Sequence, residues 1–319
     1  MTATLSGRSV LVTGGAGFIG SHLVDALLAS GNRVRVLDNF STGRRANLDS
    51  SRDRIEIIEG DLRDPEACAR ACRGCHLVFH QAALGSVPRS LADPATTIAV
   101  NVTGTANILA AARTADARRV VYASSSSVYG DSEESPKREG REGRPLSPYA
   151  WSKRMTEEIA AAFHDSYGLE VVGLRYFNVF GPRQSPDGPY AAVVPRFFRA
   201  LLEGEPAVIY GDGEQSRDFT AVADAVAANL DAATAPARAL GRAVNVAGGE
   251  EVTVNRLLAL VSATLGRPAA VRRQEPRPGD VRHSRADLTA ARELLGYHPA
   301  TRLERGLAAC ADYYRDREI

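Results

Sequence analysis

At 319 residues the chain is long enough to bury a large core, and its length suits two domains or one large α/β unit. With 44% apolar residues, 24% charged residues and a formal charge of +1, it carries no field strong enough to imply a nucleic-acid partner or an anionic membrane surface. No basic N-terminal region precedes an apolar run, and no stretch reaches about 18 apolar residues, so no membrane partner is expected and the expected location is cytoplasmic.

From the N-terminus, SVLVT reads as a strand, IGSHLVDALLAS as a helix, RVRVLD and IEIIEG as strands, the stretch near Pro65 to Cys72 as a helix, and LVFHQAA as a strand. Short β-branched runs alternating with helical periodicity predict a parallel sheet covered on both faces. A long helix follows from about Asp93 to Ala115, then a strand at VVYAS, a helix from Tyr149 to about Tyr167 and a strand at EVVGLRYF. The expected architecture is α/β: a doubly wound Rossmann domain over residues 1–177, with a returning segment at about 218–247. The rest of 178–319, rich in Gly, Pro and Arg, reads as a smaller C-terminal α/β domain.

The cysteines are Cys68, Cys72, Cys75 and Cys310, and Cys72-Arg-Gly-Cys75-His76 matches the spacing of a covalent haem site. That chemistry needs export, for which no signal is visible. Free thiols at the end of a helix, with His76 opening an apolar strand, account for the pattern. No metal site is expected.

Thr13-Gly14-Gly15-Ala16-Gly17-Phe18-Ile19-Gly20 follows a strand and opens a helix, which gives the glycines a function. Gly14 permits a tight turn, Gly17 lets backbone approach a pyrophosphate, and Gly20 lets helix and strand pack closely. Free amides at the helix start then hold phosphates. Asp38, ending the second strand, accepts ribose hydroxyls and repels a 2′-phosphate, favouring NAD over NADP. Arg44 and Arg45 oppose that inference unless they are solvated. Asp61, after the third strand, faces the adenine edge or caps the next helix.

Tyr149-Ala-Trp-Ser-Lys153 sets a phenol and an ammonium four residues apart, on one face of a helix. The chain contains 37 arginines and two lysines, Lys137 and Lys153, so a lysine at this offset points to a compact ammonium rather than a generic cation. A phenol with a reference pKa of about 10 is a poor base at neutral pH; Lys153 and a cofactor's positive charge are expected to lower it. Ser124 to Ser127 follow the strand VVYA, where strand ends meet ligands.

Taken together, TGGAGFIGSH, SSSSVYGD, SPYAWSK, RYFNVFGPRQ, GDGEQSRDF and RPGDVRHS resemble an extended short-chain dehydrogenase/reductase, nearest to the nucleotide-sugar 4-epimerases, from Val10 to about Tyr297. The resemblance implies that Ser125, Tyr149 and Lys153 are catalytic. It implies NAD held by Gly14, Gly17, Phe18, Ile19, Asp38, Asn39, Ser41, Gly43, Asp61, Leu62, Gln81, Ala82, Ala83, Ser124 and Tyr176, with Tyr149 and Lys153. It implies a UDP-sugar held by Ser86, Ser125, Ser126, Asn178, Val194, Tyr210, Arg217, Arg277, Asp280 and Ser284. Tyr210 would face uracil, Arg217 and Arg277 the diphosphate, Asp280 the ribose, and small Ser284 would leave space for a 2-acetamido group. Similar 4,6-dehydratases carry Asp-Glu where Ser126 and Ser127 stand, and similar glucuronate decarboxylases carry Glu at Ser127. The implied reaction is therefore 4-epimerisation of UDP-glucose/UDP-galactose and their N-acetyl forms, with UDP-glucuronate 4-epimerisation as the alternative, followed by a dehydratase or decarboxylase. The implied assembly is a homodimer through the helices near Asp93–Ala115 and Tyr149–Tyr167. Ala221 departs from the pattern, replacing a common tyrosine or histidine.

Overall fold

The computed structural model describes residues 5–187, 191–276 and 281–316. Arg277 and Asp280 lie outside the described residues. The predicted strands form as β1 (Ser9–Thr13), β2 (Arg33–Asp38), β3 (Ile55–Glu59), β4 (Leu77–His80), β5 (Arg119–Ser125) and β6 (Glu170–Tyr176). Val10, Leu11 and Val12 are wholly buried, the continuous burial that a strand covered on both faces requires. A seventh strand, Arg242–Val246, comes from the returning segment and pairs with β6. The spatial order is Arg242–Val246, β6, β5, β4, β1, β2, β3, all parallel. Chain order reverses between β1 and β4, and a crevice opens there beyond the strand ends.

Helix α1 (Phe18–Ala29) and the Val222–Thr234 helix cover one face of the sheet, their apolar sides joining Val10, Val12, Val36 and Phe79 in one core. Pro65–Cys72, Gly104–Thr114 and Pro148–Tyr167 cover the other with Leu11, Leu37 and Val78. The continuous helix Pro94–Thr114 is long and apolar enough to cross a membrane by length and composition, which the sequence reading had not anticipated. Here it flanks the sheet, packed on the Pro65–Cys72 and Pro148–Tyr167 helices. A π-helical turn at Ala99–Thr103 interrupts it and buries Asn101. That amide donates to Leu84 O and Ser152 Oγ and accepts the Leu84 amide, tying the β4 exit to the Tyr149 helix.

Cys68, Cys72 and Cys75 are buried free thiols under the β2 side of the sheet, and desolvation pushes Cys68 and Cys72 up to about 12. A third core gathers Phe197, Phe198, Leu257 and Leu307 from the Val193–Glu203, Val254–Leu265 and Leu303–Arg315 helices. Two small sheets border it, Glu251–Thr253/Ser216–Asp218/His283–Ser284 and Val271–Gln274/Ala207–Tyr210. These helices run 11 to 13 residues, longer than the Gly/Pro punctuation around them suggests.

Candidate active site

The glycine loop is shaped by contacts that only glycine allows. Gly14 sits at φ +67°, and a Cβ there would lie 2.7 Å from Ala82 Cα; a Cβ at Gly20 would lie 2.1 Å from the Gly14 carbonyl oxygen. The Gly14 amide donates to Leu37 O at 2.8 Å, joining the turn to β2. Helix α1 starts after Gly17 without a side-chain cap, an end at which first-turn amides can hold an anion.

His80, at the end of β4, braces this loop. Thr105 Oγ1 donates to Asn101 O at 2.6 Å, so it accepts from His80 Nε2 at 3.0 Å. His80 Nδ1 then accepts from Thr13 Oγ1 at 2.7 Å, and Thr13 Oγ1 accepts the Ala82 amide at 3.2 Å. The partners thereby fix one neutral tautomer. Full burial pushes the ring down to about 3, keeping it uncharged at physiological pH.

A cavity of about 730 Å³ lies over the crevice, within the size range of ligand pockets. Gly14, Gly17, Phe18, Ile19, Asp38, Asn39, Ser41, Gly43, Asp61, Leu62, Gln81, Ala82, Ala83, Ser124 and Tyr176 all line it, as do Ser125, Ser126, Tyr149, Lys153 and Asn178. Asp38 accepts the Ala16 and Phe40 amides at 2.9 and 2.8 Å, and its burial raises its pKa. Arg44 pairs with Asp187, while Arg45 stacks 3.8 Å from the Phe40 ring centroid and pairs with Glu59; neither lines the cavity. Asp61 does not cap the following helix, because Asp64 does so through the Glu66 amide. Instead Asp61 accepts from Asn39 at 2.9 Å and Arg63 at 2.8 Å on the cavity wall, and these partners, Arg63 foremost, hold its pKa well below the usual range. Tyr176, Gln81 and Asn229 close a triangle of hydrogen bonds, 3.1, 2.9 and 2.7 Å, that orients the cavity edges of β4 and β6. Fifteen positions and a glycine cradle thus fit a dinucleotide.

Ser147 caps the Pro148–Tyr167 helix through the Ala150 amide, and Pro148 occupies its first turn, so Tyr149 emerges at the cavity. Tyr149 shares the cavity with Ser125, which favours the ionised phenol and whose oxygen accepts the Ser127 amide at 3.2 Å. Lys153 Nζ donates to Ala123 O at 2.8 Å, and burial depresses its pKa to about 8. The expected lowering of the phenol by Lys153 is not present in this state. Burial raises the Tyr149 pKa, Ser125 opposes it, and the ammonium donates to a carbonyl.

Ser126 borders the cavity, whereas the Ser127 oxygen is buried without a hydrogen-bond partner among the described residues. Asn178 holds φ +35° and donates to Asp218 O at 3.1 Å. Ser86, Val194, Tyr210, Arg217 and Ser284 do not border the same cavity. Ser86 caps Val87–Ala92 through the Arg89 amide, and Val194 is buried in the third core. Tyr210 lies under the Arg196 guanidinium, 5.7 Å from its ring centroid, while Arg217 donates to Ser216 O at 2.7 Å. Ser284, buried, is directly opposite Arg217 in the small sheet. Arg89, Thr96, Val100 and Gln184 line the cavity without having been anticipated; only their nearness to the predicted helix starts and loops gave a signal.

The family model for the NAD dependent epimerase/dehydratase family matches residues 10–247. The UDP-glucose 4-epimerase of Mycolicibacterium smegmatis is 40% identical across 96% of this chain and 98% of its own. The UDP-N-acetylglucosamine 4-epimerase of Methanobrevibacter ruminantium, solved with UDP-N-acetylmuramic acid, superposes with a TM-score of 0.93 at 40% identity, covering 98% of this chain and 99% of that one. The UDP-glucose 4-epimerase of Thermotoga maritima, solved with UDP-glucose, gives 0.91 at 38% identity over 97% and 99%. With a Rossmann sheet, an NAD cradle and the serine, tyrosine and lysine set in one cavity, the chain belongs to the NAD-dependent epimerase/dehydratase family.

Proposed function

We propose that this enzyme interconverts the C4 epimers of UDP-hexoses: UDP-glucose with UDP-galactose, and the N-acetyl pair alongside them. The observation that carries the reading is the convergence of Ser125, Tyr149 and Lys153 on one cavity in which the next residue, Ser126, brings a hydroxyl and no carboxyl group. Tyr149 takes the sugar 4-hydroxyl proton, with Ser125 between them, as C4 loses its hydride. NAD, when bound, supplies the two-electron acceptor at C4 and returns the same hydride. Tyr149 gives its proton back once the 4-keto sugar has turned its other face. Elimination of water or loss of carbon dioxide calls for a further acid or base, and neither Ser126 nor Ser127 supplies one.

Incubating the protein with UDP-glucose and with UDP-N-acetylglucosamine, and following the anomeric protons by NMR, tests this. The expected outcome is an equilibrium mixture of both epimers; no interconversion of either sugar overturns the reading. A 4-keto-6-deoxy product would instead indicate a dehydratase, and a pentose formed when UDP-glucuronate is supplied would indicate a decarboxylase. UDP-glucuronate is the second reading, favoured by the Arg89 cation in the cavity wall. If Ser284 gates the acetamido space as the family resemblance implies, although it does not border the cavity, Ser284→Tyr is expected to lower kcat/KM for UDP-N-acetylglucosamine at least about tenfold while sparing UDP-glucose within about threefold.

The proposed assembly is a homodimer. Leu91, Trp151 and Met155 are exposed on the Val87–Ala92 and Pro148–Tyr167 helices, and Trp151 and Met155 stand one turn apart. Light scattering after gel filtration is expected to give twice the 34.0 kDa chain mass, and Met155→Glu to shift the protein toward the monomer. A monomeric wild type at micromolar concentration rejects this assembly.

A further inference from the structure

A buried ionic cluster lies directly behind the catalytic pair and is used by none of the steps above. Glu157 stands one helical turn beyond Lys153 and two beyond Tyr149, on the same face. Its carboxylate receives Arg175 Nε at 2.9 Å and Nη2 at 2.8 Å, a bidentate pair, and also the Ser124 hydroxyl. Arg175, on β6, is further paired with Glu142 and donates to the Tyr129 hydroxyl at 3.1 Å; that hydroxyl donates to Asn245 at 2.7 Å. Glu157, Arg175 and Lys153 are all buried.

Such a cluster is a poor investment in stability alone, because apolar residues of similar volume generally do as well as a buried ion pair. Its charges point to another use. Arg175 pairs with both Glu142 and Glu157, Arg154 reaches Glu142 at 3.9 Å, and the cation one helical turn from Glu157 is Lys153. Ser124, which the carboxylate holds, adjoins Ser125 at the end of β5, and Ala123, next before it, is the carbonyl partner of Lys153.

We propose that Glu157 is a positioning residue for the reaction. Its charge keeps Lys153 an ammonium inside the cavity, and its hydrogen bond to Ser124 sets the strand end that presents Ser125 and the Ala123 carbonyl. Burial disfavours the Lys153 ammonium, and Glu157 is the group that opposes this. Without the carboxylate, a larger fraction of Lys153 is neutral at any pH near 8. This inference rests on the epimerase reading for its kinetic arm and is independent of it for its titration arm.

The chain's two lysines make the test direct. Full-length protein labelled with ¹³C at lysine Cε gives two resonances, and Lys137→Arg identifies which belongs to Lys153. Titrated without sugar, Lys153 is expected to have a midpoint of about 8 in the wild type. Glu157→Gln is expected to lower it by about one pH unit or more, the effect of losing a nearby opposite charge. In the same variant the alkaline limb of the kcat profile moves to lower pH and kcat at pH 8 falls about fivefold or more, while KM changes less than about threefold. Glu157→Asp, which keeps the charge, restores the alkaline limb. Should Glu157→Gln not fold, the apolar replacement Glu142→Gln/Glu157→Met/Arg175→Met removes the same net negative charge and is expected to lower the midpoint likewise. An unchanged Lys153 midpoint in the folded variant overturns the proposal. Failure of the wild type to epimerise any UDP-sugar overturns the functional reading and leaves the titration result standing.

Discussion

Tyr149→Phe is expected to cut kcat for UDP-sugar epimerisation by about 10²–10⁴-fold, the usual contribution of a positioned acid–base group. The corresponding loss of transition-state stabilisation is about 2.7–5.5 kcal/mol. The phenol lines the cavity with Ser125 and Lys153, and phenylalanine keeps the ring while removing both the proton acceptor and the donor. Binding of UDP and retention of the dinucleotide should change little, because the hydroxyl caps no element; Ser147 caps its helix. The raised pKa of the phenol adds a second expectation. Burial stabilises the neutral form, so the base is generated only when cationic charge arrives nearby. The phenolate absorbance that disappears in Tyr149→Phe should therefore appear only above about pH 10 in wild-type protein stripped of dinucleotide, and at lower pH in the loaded protein. Kinetics by NMR, UDP affinity by calorimetry and the ultraviolet titration together check the claim. A kcat within tenfold of wild type would remove Tyr149 from the reaction and favour a non-enzymatic dinucleotide sensor on the same fold.

The parts of the site that were legible in the sequence are those carried by local pattern. A strand, a glycine turn and a helix occupy consecutive residues, so Gly14, Gly17 and Asp38 could be placed before any tertiary contact was known. The Tyr149 to Lys153 offset is likewise a property of one helix. What escaped depends on partners far apart in the chain. His80 meets Thr13 and Thr105, Asn229 meets Gln81 and Tyr176, and Glu157 meets Ser124 and Arg175; none of these spacings has a helical or strand period. The part of the Tyr149 expectation that rests on Lys153 alone is not met without cofactor, for a related reason. Adjacency on a helix face promised an ammonium beside the phenol, but the Ala123 carbonyl, brought in by β5, claims the ammonium. The uridine side was read from side-chain chemistry without a frame to hold it. Tyr210, Arg217 and Ser284 accordingly lie on small sheets outside the main cavity, where no local period relates them to the Rossmann strands.

Gly14→Val is expected to abolish dinucleotide retention and, with it, turnover. Epimerisation returns its hydride within one cycle, so a dinucleotide that stayed bound throughout would serve as a prosthetic group; wild-type protein is expected to carry it through purification. At φ +67° any L-residue is strained by about 1–2 kcal/mol, and a β-branched one is the least tolerant. The Cβ would also lie 2.7 Å from Ala82 Cα and 2.8 Å from Ala82 N, both backbone atoms, so the clash cannot be relieved by a side-chain rotation. Relief requires the β4 exit to move, and that segment is pinned through Thr13 and the neutral His80. The displaced atoms line the cavity, so strain and lost contacts fall on the same ligand. A combined cost of about 3 kcal/mol or more corresponds to a Kd raised at least about 100-fold. Extraction of the purified variant, followed by absorbance and chromatography for the dinucleotide, should find less than a tenth of the wild-type content. The circular dichroism spectrum should be retained, because the turn is solvent-facing on its cavity side. A variant that keeps its full complement of dinucleotide would show that the loop is not where the cofactor's pyrophosphate rests.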